Sequence, residues 1–361
     1  MWQEVASYFI KLGCLGFGGP LALVGSMHKD LVEKRRWISH HKFNQAFSFI
    51  KAMPGPLAFQ MAVYLGRTRA GIKGGFAAGF CLVFPAFLMI LLLGIFYQQL
   101  SLHSWVQQFM LGMQLAALSI ITASLYNLIK PYWRRYTFWI LVVWAAILAV
   151  YYPSFEPFVI IVSGIVVVLF HDRSKIYSIL PLPFFLNEEI LKLIWICFKA
   201  GAFVFGTGLA IVPMLEHDVV ERLHWLTHIE FMNALAFGQI TPGPVVITAT
   251  YIGLKVAGLS GAILGTAAIF APSFFHMMTW FPHAVNVLGR FTWIHAFILG
   301  AIAAVVGSIA ITVFRLGIAL QPSFSLVIFA FLLFLLALWN KFPAWTLIPI
   351  GGIITLLIHQ V

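Results

Sequence analysis

From Gly74 to Ile129 the chain runs for 56 residues without an Asp, Glu, Lys or Arg. At about 20 residues per bilayer crossing, that stretch holds two membrane spans and a turn. Similar uncharged runs cover Tyr136 to Phe155, Val256 to Gly289, Leu316 to Asn340 and Phe342 to Val361. Only 9% of the 361 residues are charged, against roughly 25% in a soluble domain, which leaves an all-α polytopic membrane protein. The net charge of +11 fits basic loops facing the cytoplasm, so no nucleic-acid partner is expected. The first residues carry Glu4 and lack a basic leader region, so no cleavable signal is expected. Cys14, Cys81 and Cys197 lie in apolar segments and read as buried thiols.

The chain repeats itself. Shifted by 188 residues, Lys11 to Pro56 falls on Lys199 to Pro244 with 18 of 46 positions identical and no gap. Matching pairs include Lys11/Lys199, Phe17/Phe205, Gly18/Gly206, Trp37/Trp225 and Pro54-Gly55-Pro56/Pro242-Gly243-Pro244. At a shift of 187, Gly66/Gly253, Gly71/Gly258 and Pro85/Pro272 continue the match. Two homologous transmembrane repeats are therefore expected, residues 1–175 and 176–361. Between 28 and 42 there are five Lys or Arg, but between 216 and 230 only one. Basic residues mark the cytoplasmic side, so the two stretches belong on opposite faces and the repeats are inverted. Clear spans near 74–97, 105–129, 137–152 and 157–170, with two broken segments at 5–26 and 43–66, suggest about five crossings plus one re-entrant or broken segment per repeat.

The breaks locate a candidate site. Pro and Gly interrupt helices, and unpaired backbone is tolerated at membrane depth only inside protein or beside a cavity. Matching breaks in two halves are the usual pointer to a transporter's substrate site. One kind here is the glycine turn: Phe17, Gly18, Gly19 and Pro20 in repeat 1, Phe205, Gly206, Thr207 and Gly208 in repeat 2. The other is the stiff triplet: Pro54, Gly55 and Pro56, then Pro242, Gly243 and Pro244. Each triplet is expected to restart a helix at its second proline, whose first-turn amides and positive dipole suit an anion. Single glycines in such helices also serve close packing; the symmetric pairing favours a site.

Lys11, Lys199 and Lys51 read as intramembrane cations, and all 11 acidic residues read as loop or segment-end residues. Cations without carboxylates imply an anionic guest, although a lysine stem can also carry its ammonium to the interface. Gln239 stands in repeat 2 where repeat 1 has Lys51. Gln60, Gln239, Thr241, Thr248 and Thr207 add donors suited to tetrahedral oxygens. His217, His224 and His228 with Glu216, Asp218 and Glu230 read as a solvated loop, since no spacing among them is diagnostic of metal. No metal and no cofactor are expected. His276, His283 and His295, in or near apolar stretches, are the histidines placed to carry protons.

The order of motifs is similar to a known family. The "FGGP" at 17–20, a Trp after a charged run, "PGP" at 54–56, Gly66 and Gly71, Phe84-Pro85, and in the second half "QITPGPVVITATYIG" resemble the chromate ion transporter family, most strongly over 9–90 and 196–275. The resemblance implies secondary transport of chromate across the inner membrane of a bacterium or archaeon, usually outward, with sulfate as the natural mimic. Lys51 stands where that family usually has Gln, and Phe205 to Leu209 reads "FGTGL" where "FGGGY" is frequent. The expected partners are a chromate- or sulfate-like oxyanion and the lipid bilayer, with a homodimer left open. Three other readings remain: an oxyanion uptake carrier, a passive anion channel, and an intramembrane enzyme acting on lipid-linked phosphate. The last would need a carboxylate pair with metal, or a His nucleophile with an acidic partner, so no enzyme is expected.

Overall fold

A computed structural model describes residues 1–51, 53–152, 156–169, 188–204, 208–283, 293–339 and 342–359. Every regular element among them is helical. Repeat 1 contains α1 (Trp2–Leu15), α2 (Gly19–Met27) running into a π-helical stretch (His28–Lys34), α3 (His40–Ile50), α4 (Leu57–Leu100), α5 (Ser104–Ile129), α6 (Tyr136–Tyr151) and α7 (Glu156–Leu169). Repeat 2 answers element by element with α8 (Glu188–Ala202), α9 (Ile211–Glu216) running into a π-helical stretch (His217–Arg222), α10 (His228–Ile240), α11 (Thr248–Met278), α12 (Trp293–Ala319), α13 (Phe324–Leu338) and α14 (Ala344–His359). Leu57–Leu100, Ser104–Tyr132, Val245–His283 and Ala296–Ala319 are long and apolar enough to cross a membrane. The stretches 170–187 and 284–292 lie outside the described residues, and with them Arg173, Lys175 and Arg290 of the charge reading.

The repeat survives in backbone detail. Both α3 and α10 start at a hydroxyl cap: Ser39 accepts from the Lys42 amide, and Thr227 accepts from the Glu230 amide in a reciprocal capping box. The long helices α4 and α11 each fold back on themselves at one Ala-Gly step. Gly71 has φ 62 and ψ −152, and Gly258 has φ 59 and ψ −145, a region open essentially to glycine alone. The two arms of each hairpin then touch backbone to backbone, Gly66 against Gly74 and Gly253 against Gly261. A side chain at Gly66 would collide with the Gly74 carbonyl and the Ala78 methyl. Gly66→Leu is therefore expected to destabilise the protein by about 1–3 kcal/mol. Thermal unfolding of purified protein in detergent checks this; an unchanged midpoint would show that the arms can separate freely.

Contacts between the halves fix their relative direction. Gly75, at the start of the second arm of α4, packs on Met278 at the end of α11, while Gly94, near the end of α4, packs on Leu254 and Tyr251 in the first arm of α11. Arg67 at the α4 tip donates to the Met277 carbonyl at 3.2 Å. Tyr97, at the far end of α4, accepts from Asn233 of α10 at 3.0 Å. The two repeats thus run antiparallel, as the inverted arrangement requires.

On the first face, Glu4 accepts from Trp37 Nε1 and from Arg69, each at 3.1 Å, with Arg35 at 3.8 Å. The Arg69 hydrogen bond holds the Glu4 carboxyl below its ordinary pKa. This knot ties the start of α1 to the residues after the π-helix and to the α4 tip. Impermeant-maleimide labelling tests the inversion: His41→Cys and Ile229→Cys occupy equivalent exposed positions, and in a background without native cysteines they should react from opposite sides of the membrane. Reaction of both from one side would contradict the antiparallel arrangement.

Candidate functional site

The four breaks meet at the interface between the repeats, and they meet crosswise. The Gly55 amide donates to the Val204 carbonyl, at the edge of repeat 2's glycine turn, and the Gly243 amide donates to the Gly16 carbonyl, at the edge of repeat 1's turn, at 3.2 Å. Gly16 and Val204 are themselves equivalent positions at a shift of 188. Each proline triplet is thus hydrogen-bonded to the residue that precedes the other repeat's glycine turn. Gly55 (φ 129) and Gly243 (φ 107) have backbone conformations that L residues rarely adopt, as do Gly18 (φ 106), Gly19 (φ 80) and Gly208 (φ 86). Pro20 sits in the first turn of α2. Pro56 is the N-cap of α4 and Pro244 that of the short 3-10 turn leading into α11, so each helix starts one residue after its proline and not at it. Phe205, Gly206 and Thr207 lie outside the described residues.

Side chains divide into struts and available groups. Gln60, fully buried, donates to the Pro54 carbonyl at 2.7 Å and reaches Ser273 Oγ at 3.4 Å, while its own carbonyl oxygen has no partner. It braces the first break against α11. Gln239 lies 3.5 Å from the Ala117 carbonyl, its own carbonyl oxygen also without a partner. Thr241 donates to the Gly238 carbonyl and Thr248 to the Val245 carbonyl. A hydroxyl has one proton to give, so these two threonines hold local backbone here and offer no donor to an anion. Phe17 packs at a tilt on Trp345 of α14, with ring centroids 4.9 Å apart.

The lysines do not behave alike. Lys11 and Lys51 are exposed, Lys51 as the C-cap of α3 three residues before Pro54. Lys199 is largely buried and ion-paired with Asp218, which also pairs with Arg222 at 3.0 Å. The reading of Lys199 as a cation without a carboxylate is therefore corrected. So is the reading of 216–230 as a solvated loop: Glu216, at the end of α9, is fully buried, Asp218 is 2% exposed and Glu156, at the start of α7, is 5% exposed. They go inside because α9 and its π-helical extension fold back beneath α12, where Arg315 pairs with Glu221. Among the described residues no group of three or more ligands could hold a metal ion. His276 is partly buried beside Trp280, ring centroids 5.7 Å apart; the side chain of His295 lies outside the description.

A polar stripe that charge-based reading missed leads to the first break. His40, Asn44, Ser48 and Lys51 follow one another at three- and four-residue spacing along α3, all exposed, joined by contacts from Asn44 to His40 and from Ser48 to the Asn44 carbonyl. Such spacing puts them on one helix face. Their counterparts on α10 are His228, Met232, Ala236 and Gln239, and residues 231 to 239 are buried throughout. The reason is packing: α10 lies against α5 and α14 as well as α11, whereas α3 packs chiefly on α4. The stripe on repeat 1 is exposed and its counterpart on repeat 2 is buried.

The family model described as Chromate transporter matches residues 3–169 and 191–356, nearly the whole of both repeats. The chain belongs to the chromate transporter family. A chromate transport protein of Cupriavidus metallidurans is 37% identical over 85% of this chain and 80% of its own length. A probable chromate transport protein of Synechococcus elongatus is 36% identical over 87% and 84%, and a chromate transport protein of Pseudomonas aeruginosa is 26% identical over 88% and 81%. No solved structure matches the chain. This family member is thus a membrane transport protein, and its family membership implies an oxyanion substrate.

Proposed function

We propose that the protein moves chromate, or a tetrahedral oxyanion of similar charge, across the inner membrane by alternating access at the crossed breaks, outward from the cytoplasm. The observation that carries this reading is the crosswise hydrogen bond from each proline triplet to the residue that precedes the other repeat's glycine turn, in a molecule whose two approaches are unequal. Inverted repeats let two halves exchange conformations. The present arrangement is one partner of such an exchange, with repeat 1's approach open. The open side carries the Lys- and Arg-rich 28–42 stretch, the cytoplasmic side by the charge rule. The Lys51 ammonium and the first-turn amides of α4 bind the anion from the open side.

Counterflow tests the reading. Proteoliposomes preloaded with unlabelled chromate should accumulate labelled chromate transiently, with sulfate and molybdate competing better than monovalent anions. A passive channel would let label equilibrate without overshoot, and an absence of any protein-dependent chromate flux would overturn the proposal.

A further inference from the structure

Beyond the breaks, the molecule holds a buried group of charges that oxyanion binding does not use. It comprises Glu156 (α7), Lys199 (α8), Glu216 (α9), His217, Asp218, Glu221 and Arg222 (the π-helical stretch), His228 (α10) and Arg315 (α12). The permanent cations are assigned: Lys199 and Arg222 to Asp218, and Arg315 to Glu221, which also meets His217 Nδ1 at 2.9 Å. Glu156 has Ser308 as a hydrogen-bond partner and Lys199 nearby. Glu216 differs. Its side chain is 1% exposed, its nearest basic group is His228 Nδ1 at 3.2 Å outside hydrogen-bond geometry, and neither carboxyl oxygen has a hydrogen-bond partner. An ionised carboxylate so placed is costly unless a proton accompanies it.

We infer that Glu216 and His228 form a proton-binding site whose occupancy holds the second face closed. This rests on the alternating-access reading above. His228 is 38% exposed, so the pair can exchange protons with that face. One proton on the pair, on either partner, makes it neutral overall and permits the packing of α9 and α10 seen here. Loss of that proton leaves a buried negative charge facing Glu221 and Glu156, with Arg315, already paired to Glu221, as the cation that partly offsets it, and the pair gains by moving into water, which opens repeat 2's approach. The equivalent positions in repeat 1 are His28 and His40, whose rings lie 5.0 Å apart on the open side, with His28 also 3.2 Å from Glu33.

Accessibility read against pH tests this without any transport assay. Ala236→Cys, buried on α10, is placed in a background lacking the native cysteines and labelled from the second face, its rate normalised to exposed Ile229→Cys to remove the thiol's own titration. One linked proton changes the conformational ratio by up to tenfold per pH unit. The normalised rate should therefore rise about tenfold or more between pH 5.5 and 8.5, through the histidine range. Adding Glu216→Gln, which copies the protonated acid, should flatten the profile to less than about twofold at the slow rate. Glu216→Asp, which keeps the charge, should retain the rise. A Glu216→Gln profile matching the parent's, in protein that elutes as a single folded species, would overturn the inference. A flat profile in the parent would do the same. Chromate counterflow failing while this profile holds would overturn the transport reading instead.

Discussion

Gly55→Ala should reduce chromate transport at least 100-fold per folded molecule. Two effects add. At φ 129 an L residue is strained, by about 1–3 kcal/mol. The new methyl would also land on Gln60 Nε2 and Ser273 Oγ, displacing the side chain that donates to the Pro54 carbonyl. Relief requires the triplet to move, and movement breaks the Gly55 amide's bond to Val204, which joins the repeats at the site. Gly243→Ala should be milder, because its nearest neighbour would be Ala86 Cβ at 3.7 Å and only backbone strain applies. Gly25→Ala is the control, with nothing within 4 Å and no positive φ; it should transport like the parent. Tracer flux normalised to monodisperse protein makes the comparison. Parent-like flux in Gly55→Ala would show that the first triplet is mere packing.

Lys51→Glu should produce the next largest loss. Lys51 is the C-cap residue of α3, at the inner end of the polar stripe. Even at an effective dielectric of ~20, a unit charge pair at ~4 Å is worth roughly 4 kcal/mol before desolvation, and the loss of hydration reduces the net gain. Lys51→Gln copies the residue at the equivalent position, Gln239, and keeps a donor. It should weaken divalent oxyanion binding about tenfold, roughly 1.4 kcal/mol, with expression unchanged. Lys51→Glu adds repulsion and should be worse still, whereas Lys51→Arg keeps the charge with altered geometry and should retain part of the affinity. Equilibrium binding of labelled chromate to purified protein reads these differences. Parent-like binding in both the Gln and Glu variants would remove Lys51 from the site.

The breaks were legible because each rests on a local incompatibility: Pro54, Pro56, Pro242 and Pro244 cannot continue a helix, and a repeat displays the same fault twice. Their crossing was not legible, since nothing in either triplet names the turn it will meet across the interface. Lys199 was misread for a related reason. Its partner Asp218 is 19 residues away, and only the fold-back of α9 brings the two together. The burial of Glu216 depends likewise on the packing of α9 against α8 and α12. Thr241 and Thr248 looked available because composition counts donors, while geometry assigns each proton to a carbonyl three residues back. The stripe from His40 to Lys51 carried a readable signal, its helical period, in a segment where charge alone had drawn notice.

Two disulfides test alternating access most directly. In this arrangement Gln114 of α5 donates to Asn233 of α10 at 2.6 Å. The equivalent positions at a shift of 188 are Ile302 of α12 and Gln45 of α3, which should meet when the repeats exchange conformations. Gln114→Cys with Asn233→Cys should cross-link and leave Lys51→Cys reachable from the first face only. Gln45→Cys with Ile302→Cys should also cross-link in membranes, close that approach, and expose Gln239→Cys to the second face. Each disulfide should stop chromate flux until it is reduced. Failure of the second pair to cross-link, together with undiminished flux through the protein locked by the first, would contradict alternating access at the crossed breaks.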